Sequence, residues 1–281
     1  MRYTKMHGAG NSFLITENLR GELQGEDLSV LALRLCREES GPGADGFIVL
    51  EPASDADFAM LFFNADGSLG EMCGNGARCV ARYGWEHGLA RDPACIRIRA
   101  TAGLVTGRRI SETQYEVRLN DPSVIELHRP VPLDGEILDC AYVELGRPGI
   151  PHAVEEVPIS AFHDWDALRE RGRALRHSPV FPRGANVTFA CLIGERTVRA
   201  VTFERGVEDF TLACGTGCGA TAASLILRGR IPGESVTIQM PGGELSVRLT
   251  REGNTVHDIF LTGPTALVEE GEYDKKGRVA K

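Results

Sequence analysis

Two of the eight cysteines stand in the same local setting. Cys73 is followed by Gly-Asn-Gly and Cys214 by Gly-Thr-Gly, and each leads into a helix-like run. Glycines let the backbone turn sharply and approach a ligand closely. A thiol there sits at a helix N-terminus, where partial positive charge and free N–H groups favour the thiolate. The expected thiol pKa falls from about 8.5 toward roughly 3.5 to 7.5. The same N–H groups bind a carboxylate. Two such thiols across one bound carboxylate suit inversion of the adjoining carbon. One base takes the proton from one face, and an acid returns a proton to the other. Like charges disfavour each other, so the pair shares one proton and titrates jointly.

The elements that must position these thiols appear in an internal repeat. Cys214 lies 141 residues after Cys73, about half the chain. The same offset carries Phe62 onto Phe203, Asn64 onto Arg205, "GADG" at Gly43 onto "GANV" at Gly184, and Asn11 onto His152. Asn11 and His152 are both expected in Gly-rich loops. "CIRIRATAG" after the first motif corresponds to "VTIQMPGGE" after the second. Of the eight cysteines, Cys73 and Cys214 alone map onto each other.

Each half reads as a mixed α/β unit. Strands are expected at "GFIVLE", "DFAMLFF", "YEVRL", "VTIQM", "ELSVRL" and "HDIFLTG". The run "GATAASLILRG" after Cys214 is uncharged until Arg228, so its helix is expected to be buried all round, a core for strands to wrap. Its counterpart, "GARCVARYGWEHG", carries Arg78, Arg82 and Glu86, which must reach polar partners or solvent. The proline cluster in "NDPSVIELHRPVPLDG" sets a boundary. The expected halves are 1–122, to which a tail at 264–281 returns, and 123–263, with the active site in the interdomain cleft. "EYDKKGRVAK" reads as a frayed end.

Composition narrows the function. The 281 residues are 42% hydrophobic and 25% charged, ordinary for a globular protein, with a formal charge of −8. No basic stretch tracks a phosphate backbone, which argues against nucleic acid. No apolar run approaches the roughly 18 residues of a membrane span. The N-terminus lacks a signal-peptide core, so a cytoplasmic location and free thiols are expected.

"KMHGAGN", "FFNADGSLGEMCGNGARC", "FPRGANVTF" and "FERGVEDFTLACGTG" resemble, in order and across nearly the whole chain, the signature blocks of diaminopimelate epimerases. The resemblance implies two pseudo-symmetric α/β (α+β) domains, each a mixed sheet or barrel around a central helix. It implies cofactor-free interconversion of LL- and meso-2,6-diaminopimelate, which supplies lysine and peptidoglycan precursors. By motif, Cys73 and Cys214 are the acid and base, assisted by His152 and Glu204. Gly74, Asn75, Gly215 and Thr216 form the carboxylate-binding turns, and Asn11, Asn64, Asn186, Glu204 and Arg205 hold the substrate. Arg205 offers a fork to the distal carboxylate. The chain departs from the family at Ile150, where Asn is common, and at Phe210, where an acidic residue is common.

Other readings are weaker. A pyridoxal-dependent racemase needs a Schiff-base lysine, and the four lysines are Lys5, Lys275, Lys276 and Lys281. A metal site lacks a CxxC and a nearby histidine, and Cys79 and Cys218 read as small buried residues. "GNGAR" lacks the GxxxxGK[ST] of a phosphate loop. A racemase of another amino acid, histidine for example, and a non-catalytic amino-acid-binding thiol protein stay open. No cofactor or metal is expected. The expected partners are a small amino-acid substrate and, as one option, a second copy of the chain.

Overall fold

The structure, a computed structural model, describes residues 1–70, 72–274 and 278–280, the last three by backbone alone. Two units emerge: Met1–Val117 with Gly263–Lys281, and Arg118–Thr262.

The first unit begins with a hairpin. Ala9 and Gly10 both take positive φ, 53° and 90°, and fold Asn11–Glu17 back on Arg2–Gly8 with Gly8 opposite Asn11. Two left-handed turn residues match the natural twist of paired strands. Helix α1, Leu28–Leu35, is capped by the Asp27 carboxylate, which accepts from the N–H groups of Ser29 and Val30. It is the crossover that places Gly46–Glu51 parallel to Asn11–Glu17. Phe58–Asn64 returns antiparallel. Helix α2, Gly74–Glu86, is the second crossover and sets Ile96–Ala100 parallel to Phe58–Asn64. The meander Ile96–Ala100, Gly103–Arg109 and Gln114–Arg118 follows.

The second unit repeats this order. Pro122–Leu133, Glu136–Leu145 and Ile150–Glu156 are antiparallel neighbours. A 3₁₀ turn at Ile159–His163 and helix α3, Trp165–Arg176, lead to Asn186–Leu192, which lies parallel to Ile150–Glu156. Thr197–Phe203 returns antiparallel. Helix α4, Gly215–Leu227, then crosses to Ser235–Met240, parallel to Thr197–Phe203, and Gly243–Glu252 and Thr255–Pro264 complete the meander. The two main helices are 13 residues each and begin 141 apart, the offset read from the cysteines.

Helix α4 is the core of its unit. Every residue of it but Thr216 is buried, and strands from both ends of the unit pack on it. Its small residues admit strand backbones closely, while Leu225, Ile226 and Leu227 each add about 1.5–3 kcal/mol of apolar burial. Helix α2 packs against Arg2–Gly8, Asn11–Glu17, Ile96–Ala100 and Gly103–Arg109. Its charges resolve in two ways. Arg82 pairs with Glu86 at 2.8 Å and donates to Thr265 O, whereas Arg78 is fully buried.

Two expectations need correction. Asn11 and His152 lie in strands, Asn11–Glu17 and Ile150–Glu156, because the glycines beside them form the turn and leave the polar residue to the ladder. The tail is no frayed end up to Asp274: Ala266–Asp274 pairs antiparallel with Arg2–Gly8 and with Arg278–Ala280. Lys275, Lys276 and Lys281 lie outside the described residues. No helix among the described residues is long and apolar enough to cross a membrane.

Candidate active site

Both cysteines are helix N-caps with extended backbone. Cys73 has φ −131° and ψ 109°, and Cys214 has φ −111° and ψ 106°. A cap side chain normally offers an oxygen to the N–H two or three residues on; here sulfur takes that place. Cys73 Sγ accepts from Gly76 N, and Cys214 Sγ from Gly217 N, each at 3.4 Å. The cap carbonyls start the helices, receiving Ala77 N at 2.8 Å and Cys218 N at 2.9 Å. Gly74, Asn75, Gly215 and Thr216 are therefore the first helical residues, whose N–H groups have no carbonyl within the helix. Such a turn binds an anion.

In the first unit, Asn75 is buried and its orientation is fixed. Arg78 donates to Asn75 Oδ1 at 3.0 Å and to Gly74 O at 3.4 Å. Gly8 packs on this turn so closely that a Cβ there would come within 2.8 Å of Asn75 O. Gly8 is the ladder partner of Asn11, so the hairpin brings Asn11 beside the α2 N-terminus. Asn64 behaves differently. It is exposed at a strand end, its Nδ2 donating to Ser68 Oγ at 2.9 Å while its carbonyl accepts from Gly67 N.

In the second unit, Cys214 is 6% exposed, with Thr216 Oγ1 3.7 Å from its sulfur. Burial, then the Glu204 carboxylate, push its pKa well above the ordinary thiol value, while Gly217 N–H and Thr216 pull it down. This corrects the expected lowering: desolvation outweighs the helix terminus. Glu204 is itself raised by burial, opposed by hydrogen bonds from Thr211 and the Cys214 thiol.

His152 is fully buried, and neither ring nitrogen has a hydrogen-bond partner among the described residues. Burial, with Arg205 adding its charge, lowers its pKa to about 3, so the ring is neutral. His152 is the ladder partner of Asn186. Asn186 Oδ1 accepts from Arg205 N at 2.8 Å and its Nδ2 donates to Pro151 O at 3.3 Å, tying the two strands to the Arg205 backbone. The exposed Arg205 guanidinium donates to Arg183 O at 3.2 Å.

The second unit thus gathers Cys214, Thr216 and Glu204, and sets His152, Asn186 and Arg205 side by side. The first gathers Cys73, Gly74, Asn75 and Asn11, with Asn64 engaged in its own turn. Four participants escaped the sequence reading. Gly76 and Gly217 donate to the thiols; the second glycine of Cys-Gly-X-Gly is their signal. Arg78 orients Asn75, and its place one turn after the motif is the signal. Thr211 bonds Glu204, and nothing in its sequence setting marks it. Cys79 and Cys218 are buried, Cys79 with its pKa pushed up to about 12 by desolvation. Lys5 Nζ donates to Pro42 O. A cavity of about 1370 Å³ in the first unit, lined by Tyr3, Glu17, Tyr83 and Glu269 among others, includes none of the sequence-predicted site residues.

A family model described as Diaminopimelate epimerase matches residues 3–123 and 147–268. Diaminopimelate epimerase of Caldanaerobacter subterraneus subsp. tengcongensis is 35% identical, the match covering 98% of this chain and 100% of that protein. Diaminopimelate epimerase of Carboxydothermus hydrogenoformans is 34% identical over 97% of this chain and 99% of that protein. Among solved structures, a hydroxyproline epimerase from Agrobacterium vitis aligns with a TM-score of 0.70 at 21% identity, covering 99% of this chain and 94% of that one. A probable proline racemase from Agrobacterium radiobacter K84 gives 0.70 at 19%, covering 98% and 93%. At such identities the structures speak to the fold alone.

Proposed function

We propose a function from one premise: the chain belongs to the diaminopimelate epimerase family. It is an isomerase that interconverts LL- and meso-2,6-diaminopimelate. Cys73 and Cys214 act as the two bases. One, as thiolate, removes the α-proton. The other, as thiol, returns its own proton to the opposite face, so the pair ends with thiol and thiolate exchanged and no net proton consumed. The N–H groups of Gly74, Asn75, Gly215 and Thr216 hold the substrate α-carboxylate and stabilise the charge that develops beside it. Glu204 and the neutral His152 assist at the reacting centre. Arg205, with Asn64 and Asn186, meets the distal end, and Asn11 completes the hold. The step belongs to lysine and peptidoglycan precursor synthesis in the cytoplasm, and a second copy of the chain is the protein partner this reading allows.

The observation that carries the reading is the matched pair of sulfur caps, each 3.4 Å from the N–H three residues on. The raised Cys214 favours the thiol, the form that donates. The test is incubation of LL-diaminopimelate with the protein in deuterated water, following α-deuteration and inversion together. Cys73→Ala and Cys214→Ala each abolish inversion, since an acid–base group contributes about 10²–10⁴-fold and both faces are needed. Near-normal epimerisation by either variant refutes the two-base reading.

A further inference from the structure

The strand Thr197–Phe203 ends at the edge of the site, and the chain loops through residues 204–211 before Cys214. This loop is tied at several points. Glu204 N donates to Asp209 O at 3.0 Å, Glu208 N to Glu204 O at 2.8 Å, and Thr211 N to Thr202 O at 3.2 Å. Phe203 and Phe210 form a β-bridge. The Phe210 ring sits edge-on to Trp165, Phe189 and Phe203, with centroids at 5.5, 6.3 and 5.9 Å. Arg169, over that ring, bonds Asp209 at 2.7 Å. The loop therefore has one seat, and that seat puts Thr211 Oγ1 2.6 Å from Glu204 Oε1. Glu204 in turn lies near enough to Cys214 for its charge to push the thiol pKa up.

We propose that Thr211 is a positioning residue: its hydroxyl clamps one oxygen of Glu204, so that the carboxylate is held toward Cys214 and the substrate. The inference rests on the two-thiol reading of the reaction. A carboxylate free to rotate would divide its time among orientations, whereas one oxygen fixed by a short donor sets the plane of the group. The same bond favours the ionised carboxylate against the burial that opposes it. Phe210, where the family commonly carries an acidic residue, thereby acts through packing: it seats the loop that delivers Thr211.

The groups that face this carboxylate are few. The Cys214 thiol is its titratable neighbour, and Glu204 and Cys218 are those acting on Cys214. Arg205 acts on His152.

The test compares kcat/KM for LL-diaminopimelate against pH in wild type, Thr211→Val and Thr211→Ser. Valine keeps the shape and removes the donor. A hydrogen bond to a charged group corresponds to roughly one to two pH units, so the acidic limb of Thr211→Val moves up by about that amount, and serine restores it. Glu204→Gln supplies the second measurement: if Thr211 acts through Glu204, adding Thr211→Val to Glu204→Gln costs nothing further. An unmoved limb, a serine variant as poor as valine, or full additivity with Glu204→Gln overturns the proposal. Should valine prevent folding, Thr211→Ala, alone and with Glu204→Gln, takes its place, with the same upward shift and the same non-additive behaviour expected. A wild type that never deuterates LL-diaminopimelate overturns the underlying reading, and the clamp falls with it. Deuteration by wild type with a failed cycle overturns the clamp alone.

Discussion

Replacing Gly217 with alanine probes how tightly the Cys214 cap is built. A Cβ at 217 would lie 2.9 Å from Thr202 Oγ1, 3.1 Å from Thr188 Oγ1 and 3.2 Å from Cys214 Cβ. The threonine hydroxyls bond each other at 2.9 Å, and both residues are buried. They are β-branched and cannot swing aside freely. Overpacking costs about 1–3 kcal/mol, and disturbing the buried hydroxyl pair about 1 kcal/mol more. The gain in helix propensity from glycine to alanine returns at most about 1 kcal/mol. The net expectation is a loss of about 1–3 kcal/mol. The thiol moves with its cap, and misplacement of about 1 Å costs on the order of 10² in rate. Gly76→Ala is the internal control. There the new methyl meets Ile48 Cδ1 at 3.0 Å, the far end of a flexible side chain, and then Cys73 atoms at 3.6 Å. Its stability should change by less than about 1 kcal/mol. The assays are the urea midpoint at constant slope and α-deuteration of diaminopimelate. A Gly217→Ala protein with wild-type midpoint and rate, or a Gly76→Ala protein damaged as much, would refute the packing argument.

Other outcomes follow from the same site. His152 has a folded pKa of about 3 against 6.5 unperturbed. Below pH 6.5 the unfolded chain binds the extra proton, so the stability contributed above 6.5 is lost as pH falls toward 3, by up to about 1.4 kcal/mol per pH unit. NMR of the imidazole should show no protonation above about pH 4, and His152→Gln should soften acid unfolding; a titration near 6.5 contradicts this. Arg205→Ala should cut turnover of diaminopimelate with the Cys73 and Cys214 alkylation rates little changed. Lysine, lacking a distal carboxylate, should be a very poor substrate; a screen in which histidine or another single-carboxylate amino acid outperforms diaminopimelate keeps the thiol chemistry and removes this substrate. Cys79→Ala and Cys218→Ala should cost packing stability while inversion persists in the folded enzyme, read by thermal midpoint and deuteration; loss of inversion in a folded variant would give those thiols a role.

The repeat was readable because its marks are local and few: a cysteine, glycines one and three residues on, and a helix-like run after them. The central place of α4 followed from its composition, since a run with no polar face has nowhere else to go. What escaped depends on contacts distant in sequence. The shift of Cys214 is set by how deeply the surrounding strands bury it and by Glu204, ten residues away, neither of which the Cys-Gly-Thr-Gly signature records. Asn64 and Arg205 occupy equivalent repeat positions, yet one ends in its own turn and the other on the Arg183 carbonyl, a difference made by loop geometry. The reading of a frayed end differs from the structure because the order of Ala266–Asp274 comes from Arg2–Gly8, more than 250 residues earlier.

That last pairing bears on the order in which the molecule can be made. The strand Arg2–Gly8 has Asn11–Glu17 on one side and Ala266–Asp274 on the other. The unit Arg118–Thr262 is continuous in the chain, whereas Met1–Val117 needs Gly263–Lys281. On the ribosome, where synthesis runs from the N-terminus at about 5–20 residues per second, the half translated first is the half completed last. Its opening strand waits with an unpaired edge while the later half acquires every partner it needs. A released chain ending at Thr262 would hold nearly the whole unit around the Cys214 helix and lack the last strand of the sheet around Cys73.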